Sequence, residues 1–182
     1  MIDFLKNGTI LNAVNVPSIT GDLLKKLGPL LTLAEQMGNL QSQLIHGPIK
    51  EVVIEYAGDF KGLDLSPVSM AVLKGLLDHI VKDDVNFVNA QALAKERGIR
   101  ITETSSDESY EYINLITVKV ITTEMTNTVS GTIFGKNEIR IVKINNFRLE
   151  LIPNGQIPLI YNPDKPGAIE SFTTLLGEKN VN

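Results

Sequence analysis

The basic side chains that could bind an anion gather in one stretch, FGKNEIRIVKINNFRLE, which holds Lys136, Arg140, Lys143 and Arg148. In a strand, side chains at alternate positions share a face, so Arg140 faces away from Ile141 and can converge with Arg148 across a hairpin. Two guanidinium groups offer planar forks that suit a phosphate or a carboxylate. The stretch therefore predicts an anion site formed by Arg140, Arg148 and Lys136. The alternative is a solvated sheet face.

Two further groups of residues suit the same kind of chemistry. Lys74 lies among apolar neighbours in VLKGLL, and its long side chain can extend to solvent or reach the anion site. Asn162, Asp164 and Asn182 lie at the two ends of a strand–turn–helix pattern, where free backbone N–H groups at the helix start can bind a small carboxylate. The other interpretation makes these three residues turn and capping residues.

Side chains for several other kinds of chemistry are missing from the sequence. It has no cysteine and two histidines, His46 and His79, which lack metal-ligand spacing. No glycine pattern for binding a dinucleotide or a nucleotide phosphate occurs. Asp107, Glu108 and Glu111 are typical of a solvated loop, and no Ser-His-Asp arrangement can be defended. We therefore predict no catalytic site, no metal site and no cofactor bound by this chain.

The composition is that of an ordinary globular chain, with 43% hydrophobic and 21% charged residues. A net charge of -4 and a pI near 5.2 provide no general attraction to nucleic acid or to anionic lipid. No apolar run approaches the roughly 20 residues of a membrane span, and MIDFLKNG shows no secretory signal. We expect a soluble, cytoplasmic protein without nucleic-acid or membrane partners.

The elements that must position the candidate residues follow from apolar spacing. Helical spacing predicts helices over 20–45, 67–81 and 88–97. The first is either two short helices or one helix kinked at Gly28-Pro29, and Gly98 ends the third. Near-alternation predicts strands over 49–57, 99–106, 113–123, 128–135 and 139–153. The last range turns as a hairpin at Asn145-Asn146. We expect an α+β fold whose helices pack on one face of a mostly antiparallel sheet.

The two ends of the chain have the pattern of interrupted units. Residues 2–7 resemble the last turns of a helix closed by Gly8, so the helix is expected to start upstream. At the other end, a strand IPLIY over 157–161 leads through a turn to an amphipathic helix over 168–180. A lone strand and helix cannot close a core. We interpret them as the first part of a second domain.

Five segments carry a resemblance to a known family: NGTILNAVNVPSI, VSMAVLKGLL, VNFVNAQALAKERGI, SGTIFGKNEIRIVKI and NPDKPGAIESFTTLLGEKNVN. In order and spacing they resemble the C-terminal half of D-3-phosphoglycerate dehydrogenases of the long type. The resemblance implies that residues 1–16 are the exit from a missing catalytic unit and that 17–153 form an intervening domain that binds anions or substrate. It makes 154–182 the first strand and helix of a truncated ACT domain, which has a ferredoxin-like fold.

The resemblance also implies a function. The chain would be a regulatory and oligomerisation part of an NAD-dependent dehydrogenase of L-serine biosynthesis, not catalytic alone, with NAD held by the missing catalytic part. It places the anion site on Arg140 and Arg148 and, less closely, Lys74.

The same resemblance implies a serine site on Asn162, Asp164 and Asn182. A phosphate-bearing small molecule and L-serine are the expected ligands, and a homo-oligomer the expected assembly. Two alternatives stay open: a stand-alone small-molecule sensor, and a subunit related to iron–sulfur L-serine dehydratase whose cluster cysteines come from a partner chain.

Overall fold

The computed structural model describes residues 21–81, 84–108, 111–160 and 168–178. Its helices are α1 (Gly21–Leu44), α2 (Ser66–Asp78), α3 (Ala90–Glu96) and α4 (Ala168–Glu178). Its strands are β1 (Ile49–Gly58), β2 (Arg100–Ser106), β3 (Asn114–Thr122), β4 (Thr126–Phe134), β5 (Glu138–Ile144) and β6 (Phe147–Leu151). The helices and strands predicted between residues 20 and 153 are confirmed, with shifts of a few residues at their ends.

The six strands form one mixed sheet in the order β2-β1-β3-β4-β5-β6. β1 and β2 are parallel, and every other neighbouring pair is antiparallel. Parallel neighbours need a long connection, which α2 and α3 supply between β1 and β2. The expected α+β fold with a mostly antiparallel sheet is confirmed.

One face of the sheet forms the hydrophobic core. On β1 and β3 the buried pairs are Val52 with Val120 and Ile54 with Val118. The fully buried Gln41 of α1 donates from its Nε2 to the backbone oxygen of Val118 at 2.7 Å. α1 therefore lies against this face. Burying a valine or isoleucine here contributes about 1.5–3 kcal/mol each, so the face is set by hydrophobic burial.

The first helix is continuous through its proline. Pro29 lies inside α1, although it has no backbone N–H to bond to the preceding turn. Leu27, Leu30 and Leu33 are buried on the two sides of this position. Because the apolar face continues past Pro29, packing on the core holds one helix together. Of the two predicted alternatives, a single helix is the one that the structure contains.

Two turn residues with positive φ follow α3 and β5, at the positions where the sequence predicts that these elements end. Gly98 follows Arg97, the C-cap of α3, and has a φ of 71°. Glycine has no Cβ, so it adopts this left-handed conformation without strain. Asn145, with φ of 52°, begins the turn between β5 and β6. Its side-chain oxygen accepts a hydrogen bond from the backbone N–H of Thr128 at 2.9 Å, which ties the hairpin to β4. The hairpin at Asn145-Asn146 is thus confirmed.

The C-terminal prediction is correct in one part and wrong in another. The predicted helix is present as α4. The predicted strand over 157–161 is wrong, because the described residues 157–160 are not in a strand. A strand needs a neighbour for its backbone N–H and C=O groups, and within the described ranges β6 is the last strand to pair. The predicted helix end at residues 2–7 lies outside the described residues.

Candidate functional site

Five polar side chains lie in one line across the face of the sheet opposite the helices. Strand pairing places Glu55 beside Thr117, Thr117 beside Ser130, Ser130 beside Lys143, and Lys143 beside Arg148. Directly paired residues point to the same face, with Cβ atoms about 5 Å apart. The line therefore runs from a carboxylate through two hydroxyl groups to two cations. We call these five residues the polar row.

A β-bulge puts Lys143 into the polar row. Gly131 pairs with Ile141, but the preceding Ser130 pairs with Lys143, which leaves Val142 as an extra residue in β5. Without the extra residue, alternation would place Lys143 on the core face. The bulge instead returns Lys143 to the open face and lets Ile144, which is 3% exposed, pack in the core. Both the cation and the core depend on this local irregularity.

The polar row lines a cavity of about 320 Å³ on the open face. Glu111, Tyr112 and Thr128 complete its polar lining. Inside it, the hydroxyl oxygens of Thr117 and Ser130 are 2.9 Å apart and share one hydrogen bond. A hydroxyl group donates one proton, so one of these two protons remains free to donate to another acceptor. The cavity thus offers a cationic end and a hydrogen-bond donor beside it.

The charges that line the cavity are only partly paired. Arg148 Nη2 lies 2.7 Å from Glu111 Oε1, and both side chains are largely exposed, at 75% and 50%. Lys143 and Glu55 form no ion pair with any residue in the described part of the chain. An exposed pair such as Arg148–Glu111 contributes about 0–1 kcal/mol. A multivalent anion can therefore compete with Glu111 for Arg148.

Arg140 lies on the same hairpin but outside this cavity. Its Nη2 is 2.9 Å from Glu138 Oε2, its Nε is 3.5 Å from Glu150 Oε1, and its side chain is 16% exposed. Its Nη1 also donates to the backbone oxygen of Ile139 at 3.0 Å. These partners satisfy most of the guanidinium group. The structure therefore does not bring Arg140 and Arg148 together around one cavity. Arg140 contacts Glu138 and Glu150, whereas Arg148 contacts Glu111.

The other two predicted anion ligands lie elsewhere. Lys136 is exposed in the turn between β4 and β5. Lys74 lies on α2, where its Nζ is 2.6 Å from Glu35 Oε1 of α1 and 5.2 Å from the centre of the Phe87 ring. A cation so placed joins α2 to α1 through an ion pair and to the turn before α3 through a cation–π contact. Lys74 is thus on the helical side of the sheet and away from the polar row.

The predicted serine ligands Asn162, Asp164 and Asn182 lie outside the described residues. In the part of the chain that is described, no three His, Cys, Asp or Glu side chains are grouped so as to hold a metal ion. Among the same residues, no helix combines the length and the apolar character that crossing a membrane requires. His79 directly follows the last residue of α2, and the backbone N–H of the next residue, Ile80, donates to the carbonyl oxygen of Leu77 at 2.9 Å.

Sequence reasoning named Lys143 in the basic stretch but left it out of the site, and it missed Glu55, Thr117 and Ser130. Strict alternation along IRIVKI would put Lys143 and Arg140 on opposite faces, and the bulge reverses this. No pattern within one strand indicates which residues of the next strand lie beside it. The basic stretch was the one feature of the sequence that pointed to this site, and it located the cationic end of the polar row.

Comparison with known proteins gives consistent matches. A family model described as the D-3-phosphoglycerate dehydrogenase intervening domain matches residues 26–145. The D-3-phosphoglycerate dehydrogenase of Bacillus subtilis is 35% identical over 182 residues, which cover 100% of this chain and 35% of that protein. The enzyme of the same name from Archaeoglobus fulgidus is also 35% identical, with 100% and 34% covered.

A third relative extends the same result. The D-3-phosphoglycerate dehydrogenase of Synechocystis is 37% identical over 172 residues, covering 94% of this chain and 31% of that protein. The chain thus spans about a third of the length of the curated relatives it matches.

Proposed function

The chain belongs to the D-3-phosphoglycerate dehydrogenase family through its intervening domain, and on this premise we propose that it is a regulatory part of such an enzyme that binds a phosphate-bearing small molecule. The cavity of the polar row is the proposed binding site. The finding that supports it best is the direct pairing of Lys143 with Arg148 over that cavity. Like charges directly opposite each other are unfavourable in a sheet, and an anion between them removes the repulsion.

The two cations suit a phosphate for different reasons. Arg148 presents a planar fork that can bind two phosphate oxygens, and the ammonium group of Lys143 acts as a compact point charge. The free hydroxyl proton of the Thr117–Ser130 pair supplies a neutral donor at the same end of the cavity. A volume of about 320 Å³ accommodates a phosphorylated molecule of three carbons and a few waters.

Calorimetric titration of the chain with 3-phosphoglycerate, phosphohydroxypyruvate and inorganic phosphate tests this site. We expect saturable binding that weakens about tenfold in Lys143→Ala and in Arg148→Ala, because each loses a charge-assisted hydrogen bond. Lys50→Ala removes another exposed cation, at the start of β1, and should leave binding unchanged. Arg140→Ala should also bind normally if it is folded. No heat of binding to a folded wild-type chain would refute the site.

The regulatory part of the proposal rests on linkage. A ligand that binds one quaternary state more tightly biases the enzyme towards that state, and the dehydrogenase responds at a distance. In this proposal the catalytic part and its NAD lie in the remainder of a homo-oligomeric enzyme of L-serine biosynthesis in the cytoplasm. The chain itself then has no catalytic role.

Feedback by L-serine belongs to the same proposal and involves the segment with Asn162, Asp164 and Asn182. Their support is the family resemblance, together with the confirmed helix α4, which begins at Ala168. L-serine titration of the full-length enzyme should show saturable binding that Asp164→Ala abolishes. Full-length enzyme that binds no L-serine would exclude the feedback role and leave the anion site unaffected.

A further inference from the structure

Two charged residues of the polar row have no ion-pair partner among the described residues. They lie on different strands and line the same cavity. Glu55 is on β1 and Lys143 on β5, with the Thr117–Ser130 hydroxyl pair between them. Both charged side chains are exposed, and neither forms an ion pair with a described residue. Three strand spacings of about 4.8 Å separate their backbones by roughly 14 Å. This distance is too long for a direct ion pair but short enough for both side chains to contact one small ligand.

The carboxylates of the cavity weaken the binding of a simple anion. Glu55 and Glu111 both line it and repel negative charge, while Arg148 is already paired with Glu111 at 2.7 Å. A purely anionic ligand gains the attraction of Lys143 and Arg148 but meets repulsion from Glu55. A ligand with a positive group at its other end converts that repulsion into attraction. The lining therefore favours opposite charges at the two ends of the ligand.

We propose that the cavity binds a small zwitterion with a phosphate at one end and an ammonium group at the other. The phosphate lies at Lys143 and Arg148, the Thr117–Ser130 pair donates its free hydroxyl proton to a ligand oxygen, and the ammonium group contacts Glu55. This inference rests on the proposed function, because it names the chemical class of the ligand at the same site. A phosphorylated amino acid of three carbons has both groups at a suitable spacing.

A pair of matched ligands isolates the part played by Glu55. O-phospho-L-serine and the L isomer of 3-phosphoglycerate share the phosphate, the carboxylate, the carbon chain and the configuration at C2, and differ by an ammonium group in place of a hydroxyl. We expect the wild-type chain to bind O-phospho-L-serine about three- to tenfold more tightly in calorimetric titrations at equal ionic strength, as a partly exposed ion pair allows.

Substitution of Glu55 should move the two affinities in opposite directions. In Glu55→Gln, O-phospho-L-serine loses its ion pair and binds more weakly, while 3-phosphoglycerate escapes repulsion and binds more tightly. A merely structural effect would change both affinities in the same direction. Glu96→Gln removes an exposed carboxylate on α3 and should change neither.

The outcomes separate this inference from the proposed function. If the chain binds 3-phosphoglycerate and O-phospho-L-serine equally, or if Glu55→Gln leaves their ratio unchanged, the zwitterion assignment is wrong and the anion site stands. If a folded chain binds neither ligand, both are wrong. If the Glu55→Gln variant fails to fold, the ratio of the two affinities in the wild-type chain still tests the zwitterion assignment.

Discussion

The two arginines of the β5–β6 hairpin have different surroundings and therefore different roles. Arg140 is 16% exposed and contacts two carboxylates, so its charge is used within the hairpin. Arg148 is 75% exposed and has one carboxylate partner. Removing a partner from a more buried charge costs more than removing it from an exposed one. Arg140 is thus expected to stabilise the hairpin, whereas Arg148 is available to a ligand.

Asp64 makes the stability of the folded chain depend on pH in the acid range. Its carboxylate accepts hydrogen bonds from the backbone N–H and the hydroxyl of Ser66 at 3.0 and 2.7 Å, at the start of α2. These bonds lower the pKa of Asp64 below its ordinary value of 3.8. A lowered pKa in the folded state stabilises it above pH 3.8, and this contribution is lost as the pH falls through the lowered pKa.

Asp64→Asn keeps a side-chain acceptor but cannot titrate. We expect it to reduce the free energy of unfolding by about 0.5 kcal/mol at pH 6, a small loss because Asp64 is exposed, and by less at pH 2.5. Urea unfolding at both pH values measures the difference, and Asp59→Asn, another exposed carboxylate, is the control. An equal loss at both pH values would contradict the assigned role.

At the scale of elements, two glycines let α1 and α2 cross in close contact. A Cβ at Gly38 would clash with the backbone oxygen of Val72 and lie 2.8 Å from the backbone nitrogen of Leu76. A Cβ at Gly75 would clash with the backbone oxygen of Glu35 in the same way. The obstacles are backbone atoms that cannot rotate away. The helices must therefore separate if either glycine acquires a side chain.

Gly38→Ala should lower the free energy of unfolding by about 1–3 kcal/mol, because the overpacking exceeds the roughly 1 kcal/mol that alanine gains in a helix. Gly28→Ala is a matched control in the same helix, since its Cβ would meet no described atom within 4 Å. That variant should keep or raise stability. Chemical denaturation of both variants provides the measurement. A Gly38→Ala variant as stable as the wild type would show that the crossing is looser than described.

At the scale of the whole molecule, helices cover one face of the sheet, and the other face is open as far as the described residues extend. Buried side chains of β1, β3, β4 and β5 form a single core with α1 and α2. The polar row lies on the other face, so a ligand there does not disturb the core. The core and the candidate site thus lie on opposite faces of one sheet.

This arrangement predicts a gradient of local stability across the sheet. β3 and β4 pair with strands on both sides, whereas β2 and β6 are the edges of the described sheet. Amide hydrogen exchange should therefore be slowest in Asn114–Thr122 and Thr126–Phe134 and about tenfold or more faster in Arg100–Ser106, because edge strands open without global unfolding. Hydrogen exchange followed by mass spectrometry measures the exchange rates of these strands. Equal protection of β2 and β3 would mean that something covers the β2 edge.

Most of the fold could be predicted from local sequence patterns. Apolar spacing located the helices and strands between residues 20 and 153, and Gly98 and Asn145-Asn146 marked two of their ends. These features depend on contacts between near neighbours in the chain. The strand predicted over 157–161 failed because an apolar run indicates only a possible strand, and a neighbouring strand is needed to make it form.

The sequence by itself determined the elements, the α+β class and the cationic end of the candidate site, because periodicity and a basic stretch are local properties of the chain. Only the tertiary structure decided the rest of the site. It aligned Glu55 with Lys143 across four neighbouring strands through registers that no single strand encodes. It also returned Lys143 to the open face through a bulge at Val142. A one-residue shift reverses the face of every following side chain, so the register determines which charges meet.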